Sequence, residues 1–130
     1  MELEDFEVLI LEDSPSAMMD LTSKLPDFID HNKVLKTTNY HQAMNAVRFR
    51  NVDVALVDLS MPKENGMDFI VDLNAHPATK DIPIIVISGV EQNSLLLKAL
   101  DGLVVACLRK PVDRDQLRAT LEQIFQKIQV

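Results

Sequence analysis

The chain has 130 residues, 47% hydrophobic and 25% charged, with a formal net charge of −7 at pH 7 and a sequence pI near 4.8. A negative surface is repelled by phosphate backbones and anionic lipid, which argues against direct binding to nucleic acid or membrane. Near-average composition without low-complexity tracts excludes a disordered chain or a solenoid, and one cysteine, Cys107, excludes an internal disulfide framework.

In chain order, short apolar runs alternate with amphipathic segments of helix length. "FEVLIL" (6–11) reads as a first strand and ends at the acid pair Glu12 and Asp13. Ser14 then caps a helix with Pro15 at its first position, and Ala17, Met18, Leu21 and Leu25 form its apolar stripe. "KVLKTT" (33–38) is the second strand, and Asn39 caps a helix carrying Ala43, Met44 and Val47. "DVALV" (53–57) is the third strand, stopped by Asp58, and a helix from about Asn65 to Asn74 groups Met67, Ile70 and Leu73. "IPIIVIS" (82–88) is the fourth strand, followed by a leucine-rich helix from about Glu91 to Leu100. "VVACL" (104–108) is the fifth. Asp113 with Gln116 reads as a capping box before Leu117, Leu121, Ile124, Phe125 and Ile128, the clearest helical period in the chain.

Five βα units predict an α/β fold: a parallel sheet with right-handed crossovers and helices on both faces. A single domain over residues 1–130 is expected, with no effector domain. No basic segment followed by an apolar run opens the chain, and its longest apolar stretches are of strand length, so a soluble cytoplasmic protein is expected.

In open sheets of this kind, ligands bind beyond the carboxyl ends of the strands. The residues there are Glu12 and Asp13 after the first strand, Asp58 after the third, Ser88 at the end of the fourth and Lys110 after the fifth. Taken singly, each has a structural reading, as turn former, helix cap or solvated lysine. Taken together, they assemble three carboxylates, a hydroxyl and an ammonium on one rim. Two unit charges about 4 Å apart repel by about 1 kcal/mol in water and about 4 kcal/mol at an intermediate dielectric, so such a cluster calls for a cation. Hard oxygen donors suit Mg²⁺. The equipment fits phosphoryl transfer, in which positioning and charge neutralisation dominate, with Asp58 a possible nucleophile.

The stretches "LILEDSP", "VALVDLSMP" with Gly66 beyond it, "IPIIVISG" and "LRKPV" resemble the receiver domain of two-component response regulators, over essentially the whole chain. The resemblance implies a flavodoxin-like sheet of strand order 2-1-3-4-5. It makes Asp58 the phosphoacceptor, with Ser88 and Lys110 contacting the acyl phosphate. It implies Mg²⁺ at Asp13, Asp58 and the Ser60 carbonyl, with Glu12 acting through a bound water. It further implies a cis Lys110–Pro111 bond aiming the lysine across the rim. Two positions depart from the family pattern. Cys107 stands where the family commonly has an aromatic ring that turns inward on activation, and Gly102 lies one residue further from the lysine than usual.

The resemblance implies a phosphoacceptor signalling domain, served by a histidine kinase or histidine phosphotransfer domain and catalysing only its own phosphorylation and dephosphorylation. Alternatives are a small Mg²⁺-dependent phosphohydrolase with an aspartyl-phosphate intermediate, and a phosphorylation-independent adaptor. Output to a protein target, or self-association, is expected through the fourth predicted helix, fifth strand and fifth predicted helix. There Leu95, Leu96, Leu97 and Leu100 exceed one core-facing stripe, and Ser88 with the loop 89–92 replaces the missing ring as the moving part. His31, His41 and His76 lack metal-ligand spacing, Met18, Met44 and Met67 read as core, and Cys107 reads as a buried, inert thiol.

Overall fold

Five short segments pair as one parallel sheet of order β2-β1-β3-β4-β5, the order implied above. The structure is a computed structural model and describes residues 5–60, 65–89, 100 and 102–129. Its elements are β1 (Val8–Leu11), α1 (Pro15–Ser23), β2 (Val34–Thr37), α2 (Tyr40–Phe49), β3 (Val54–Asp58), α3 (Asn65–Ala75), β4 (Ile84–Ser88), β5 (Ala106–Arg109) and α4 (Arg114–Gln129). A 3₁₀ turn, His31–Lys33, leads into β2. The helix expected over 91–100, with the leucine patch assigned to it, lies outside the described residues except for Leu100, which is fully buried.

Registers Val8↔Val34, Val8↔Val54, Ala55↔Ile84 and Ile85↔Ala106 align the carboxyl ends of the strands along one edge. Alternation along each strand then divides the interior into two layers. Val8, Ile10, Val54, Leu56, Ile85, Ile87 and Leu108 pack with Met18 and Leu21 of α1 and Leu117, Leu121 and Ile124 of α4. Leu9, Leu11, Ala55, Val57, Ile84 and Val86 pack with Ala43 and Val47 of α2 and Phe69, Ile70 and Leu73 of α3. Burying each Val, Leu, Ile, Met or Phe of these layers contributes about 1.5–3 kcal/mol. Phe6 meets Phe125 edge to face at 5.4 Å in the first layer, and in the second the Tyr40 hydroxyl donates to the Asp72 carboxylate, tying α2 to α3.

The caps form as their residue types dictate. Ser14 Oγ accepts from the Ala17 amide at 3.3 Å and Asn39 Oδ1 from the Gln42 amide at 2.9 Å. Asp113 Oδ1 accepts from the Asp115 amide at 3.1 Å, so α4 is capped at a position nearer than the Gln116 of the expected box. One expectation fails. Cys107 is exposed, because β5 is the edge strand of the sheet and the α1/α4 layer takes Ala106 and Leu108 instead. Neighbouring atoms still desolvate the sulfur enough to push its thiol pKa up. No helix among the described residues is long and apolar enough to cross a membrane.

Candidate functional site

Glu12, one residue past β1, is only 2% exposed because its strand is flanked on both sides by neighbours. Its Oε2 accepts the Ser14 amide at 3.1 Å, so the turn into α1 fixes the carboxylate. Asp58, the last residue of β3, is 3% exposed, and its Oδ1 accepts the Ser60 amide at 2.8 Å. Exposed Asp13 completes the group: one oxygen from each of Glu12, Asp13 and Asp58 lies within 4.8 Å of the others. Three hard carboxylate donors at this spacing fit a small divalent cation.

Lys110, just beyond β5, reaches back over both buried acids. Its Nζ lies 3.0 Å from Asp58 Oδ2 and 3.3 Å from Glu12 Oε1, with the side chain 31% exposed. The Lys110–Pro111 peptide is cis, as expected. Burial lowers the affinity of the amine for its proton, but the bond to Asp58 and the charges of Asp58 and Glu12 outweigh it, so the lysine pKa is raised. Glu12 moves further. Burial first, then its hydrogen bond with Asp58, raise its pKa to about 7 against the opposing pull of the Ser14 amide.

Ser88, at the end of β4 beside Asp58, is 6% exposed, and its buried Oγ has no hydrogen-bond partner. Buried hydroxyls are normally satisfied, so this one carries unused hydrogen-bonding capacity at the carboxyl edge of the sheet. By strand alternation, Glu12, Asp58 and Lys110 take the parity of the α1/α4 layer, whereas Ser88 takes that of the α2/α3 layer. A cleft of about 370 Å³ adjoins the acids, floored by Leu21, Ile87 and Val112 and edged by Glu12 and Lys110.

Glu12, Asp13, Asp58 and Lys110, expected together on the rim, are brought together, with Ser88 on the neighbouring strand end. Ser60 joins them through its amide. Two contacts go beyond what the sequence reading assigned to Ser60 and Gly66. The Ser60 amide already occupies one Asp58 oxygen, and Gly66 is where α3 touches the strand end: a Cβ there would sit 2.7 Å from the Asp58 carbonyl oxygen and 3.2 Å from Val57 Cγ1. A small residue eight positions beyond the acid, at the start of a helix, was the available signal.

The chain matches the family model described as the response regulator receiver domain over residues 8–122. It is 32% identical over 117 residues to the transcriptional regulatory protein KdpE of Staphylococcus aureus, covering 90% of this chain and 48% of that protein. It is 30% identical over 118 residues to protein PilH of Pseudomonas aeruginosa, covering 91% and 96%. This chain thus spans about half of the first relative and nearly all of the second. Among solved structures, the REC domain of AraT, a response regulator from Geobacillus stearothermophilus, superposes with a TM-score of 0.78 at 26% identity, covering 95% of each chain. With the family model spanning nearly all of the sheet and its helices, this chain belongs to the response regulator receiver domain family.

Proposed function

We propose that Asp58 accepts a phosphoryl group from a phosphohistidine on a histidine kinase or histidine phosphotransfer domain. What supports the reading above all is the environment of one carboxylate. Asp58 is buried between the Ser60 amide and the Lys110 ammonium, next to a buried hydroxyl with no partner. A carboxylate oxygen of Asp58 attacks phosphorus, the P–N bond breaks, and its electron pair leaves on the imidazole nitrogen. Lys110 neutralises charge on the transferred oxygens, and the Ser88 hydroxyl donates to one of them. Glu12, Asp13, Asp58 and Ser60 would hold Mg²⁺, which supplies a Lewis-acidic charge for the same oxygens. The phosphorylated domain then signals to a protein target, or to a second copy, through contacts around β5 and α4, and a cytoplasmic setting goes with this reading. The family match favours neither the phosphohydrolase nor the adaptor alternative.

The test is intact mass after incubation with acetyl phosphate and Mg²⁺. A gain of one phosphoryl group is expected, lost on chelation and lost in Asp58→Asn. Equal labelling of the Asn variant would overturn the assignment.

A further inference from the structure

The amino ends of the strands, at the pole opposite Asp58, hold a second charged cluster that phosphoryl transfer does not use. Glu7 precedes β1, Lys33 precedes β2, Asp53 precedes β3, and Phe49 and Arg50 close α2. These residues line a cleft of about 380 Å³. Glu7 is only 7% exposed. Its Oε1 takes a bond from Arg50 Nη2 at 2.6 Å, but its Oε2 is buried with no partner. Asp53 does not help, since its Oδ2 accepts the Glu7 amide at 2.8 Å and burial raises its own pKa.

A desolvated carboxylate oxygen without a donor carries a cost that a bound group would offset. The missing donor is cationic or polar. A divalent metal is not indicated, because among the described residues the acidic grouping close enough to share one ion is that of Glu12, Asp13 and Asp58. An organic cation fits better: Phe49 stands beside the cleft with 81% of its surface exposed, offering a ring face on which a guanidinium can stack. Arginine suits both halves of such a site, because its guanidinium pairs with carboxylates and stacks on aromatic faces.

We propose that this pole is a docking site for an arginine side chain of a protein partner, which pairs with the buried Glu7 oxygen that Arg50 leaves unpartnered and stacks on Phe49. The site is independent of Asp58 and needs no phosphorylation.

The probe is N-acetyl-L-argininamide, titrated into ¹⁵N-labelled protein and followed by amide chemical shifts. Saturable shifts centred on Glu7, Phe49 and Asp53 are expected, absent with the uncharged citrulline analogue. Phe49→Ala removes an exposed ring, so the fold survives, and affinity should fall about two- to fivefold, the worth of an exposed cation–π contact. Glu7→Gln should weaken binding further, and if that variant does not fold, Phe49→Ala decides alone. Shifts that never saturate, shifts centred on Glu12 and Asp58, or putrescine binding as well as the arginine probe would each overturn the proposal.

Discussion

Lys110→Met tests whether the rim is held together by charge. The lysine contacts two carboxylates that are 2% and 3% exposed, at 3.3 and 3.0 Å, so its removal leaves both acids buried without their cation. Breaking a buried pair by deleting one partner costs about 3–5 kcal/mol, and because the lysine is itself 31% exposed, water screens part of this, placing the expected loss at about 3 kcal/mol. Protonation offers relief. Glu12 already titrates at about 7 with the lysine present, and without that opposing charge its pKa rises further. The loss should therefore be largest near pH 8 and clearly smaller near pH 6, where Glu12 is neutral in both proteins. Urea denaturation of both proteins in EDTA at the two pH values measures it. Mg²⁺ should restore more stability to the variant than to the wild type, because the lysine no longer competes for the same oxygens. An equal loss at both pH values, or a larger one at the lower, would refute a charge-based account.

The wild-type domain without metal should itself lose stability as pH rises. The folded pKa of Glu12, about 7, lies above its ordinary 4.5, so its contribution is fully present below 4.5 and disappears as pH passes 7; the shift corresponds to at most about 3 kcal/mol across that window, measurable by denaturation in EDTA. Ser88→Ala removes a hydroxyl with no partner, so stability should hold or rise by up to about 1 kcal/mol, while phosphorylation by acetyl phosphate slows. Gly66→Ala forces a methyl to 2.7 Å from the Asp58 carbonyl oxygen and should cost about 1–3 kcal/mol by denaturation and shift the Asp58 amide resonance. Leu121→Ala empties a fully buried position between α4 and the sheet and should cost about 2–5 kcal/mol, with the phosphorylation rate at low temperature unchanged.

The rim was legible because its chemistry sits where topology puts it. Apolar runs ending in Glu12, Asp58 and Ser88 define both the strands and their carboxyl ends, and a parallel sheet brings such ends to one edge. What the sequence hid depended on position within the sheet. "VVACL" is as apolar as a central strand, yet β5 is an edge, so Cys107 is exposed and pairing begins only at Ala106. Phe6 and Glu7 read as strand but precede it, because the registers of β2 and β3 both begin opposite Val8. The ion pair between Glu7 and Arg50 joins residues 43 apart, and no local periodicity announces it. The occupied Ser60 amide is a backbone event, to which side-chain identity is nearly silent.

The opposite parities of Asp58 and Ser88 have a mechanical consequence. Among the described residues, the buried apolar side chains fall into two separate clusters, one on each face of the sheet. A phosphoryl group on Asp58 that accepts from both Lys110 and Ser88 would be a rivet through the sheet, fastening the α1/α4 side to the α2/α3 side at a single atom cluster. One covalent event would then be felt on both surfaces at once, and a partner on either side could read the same chemical state.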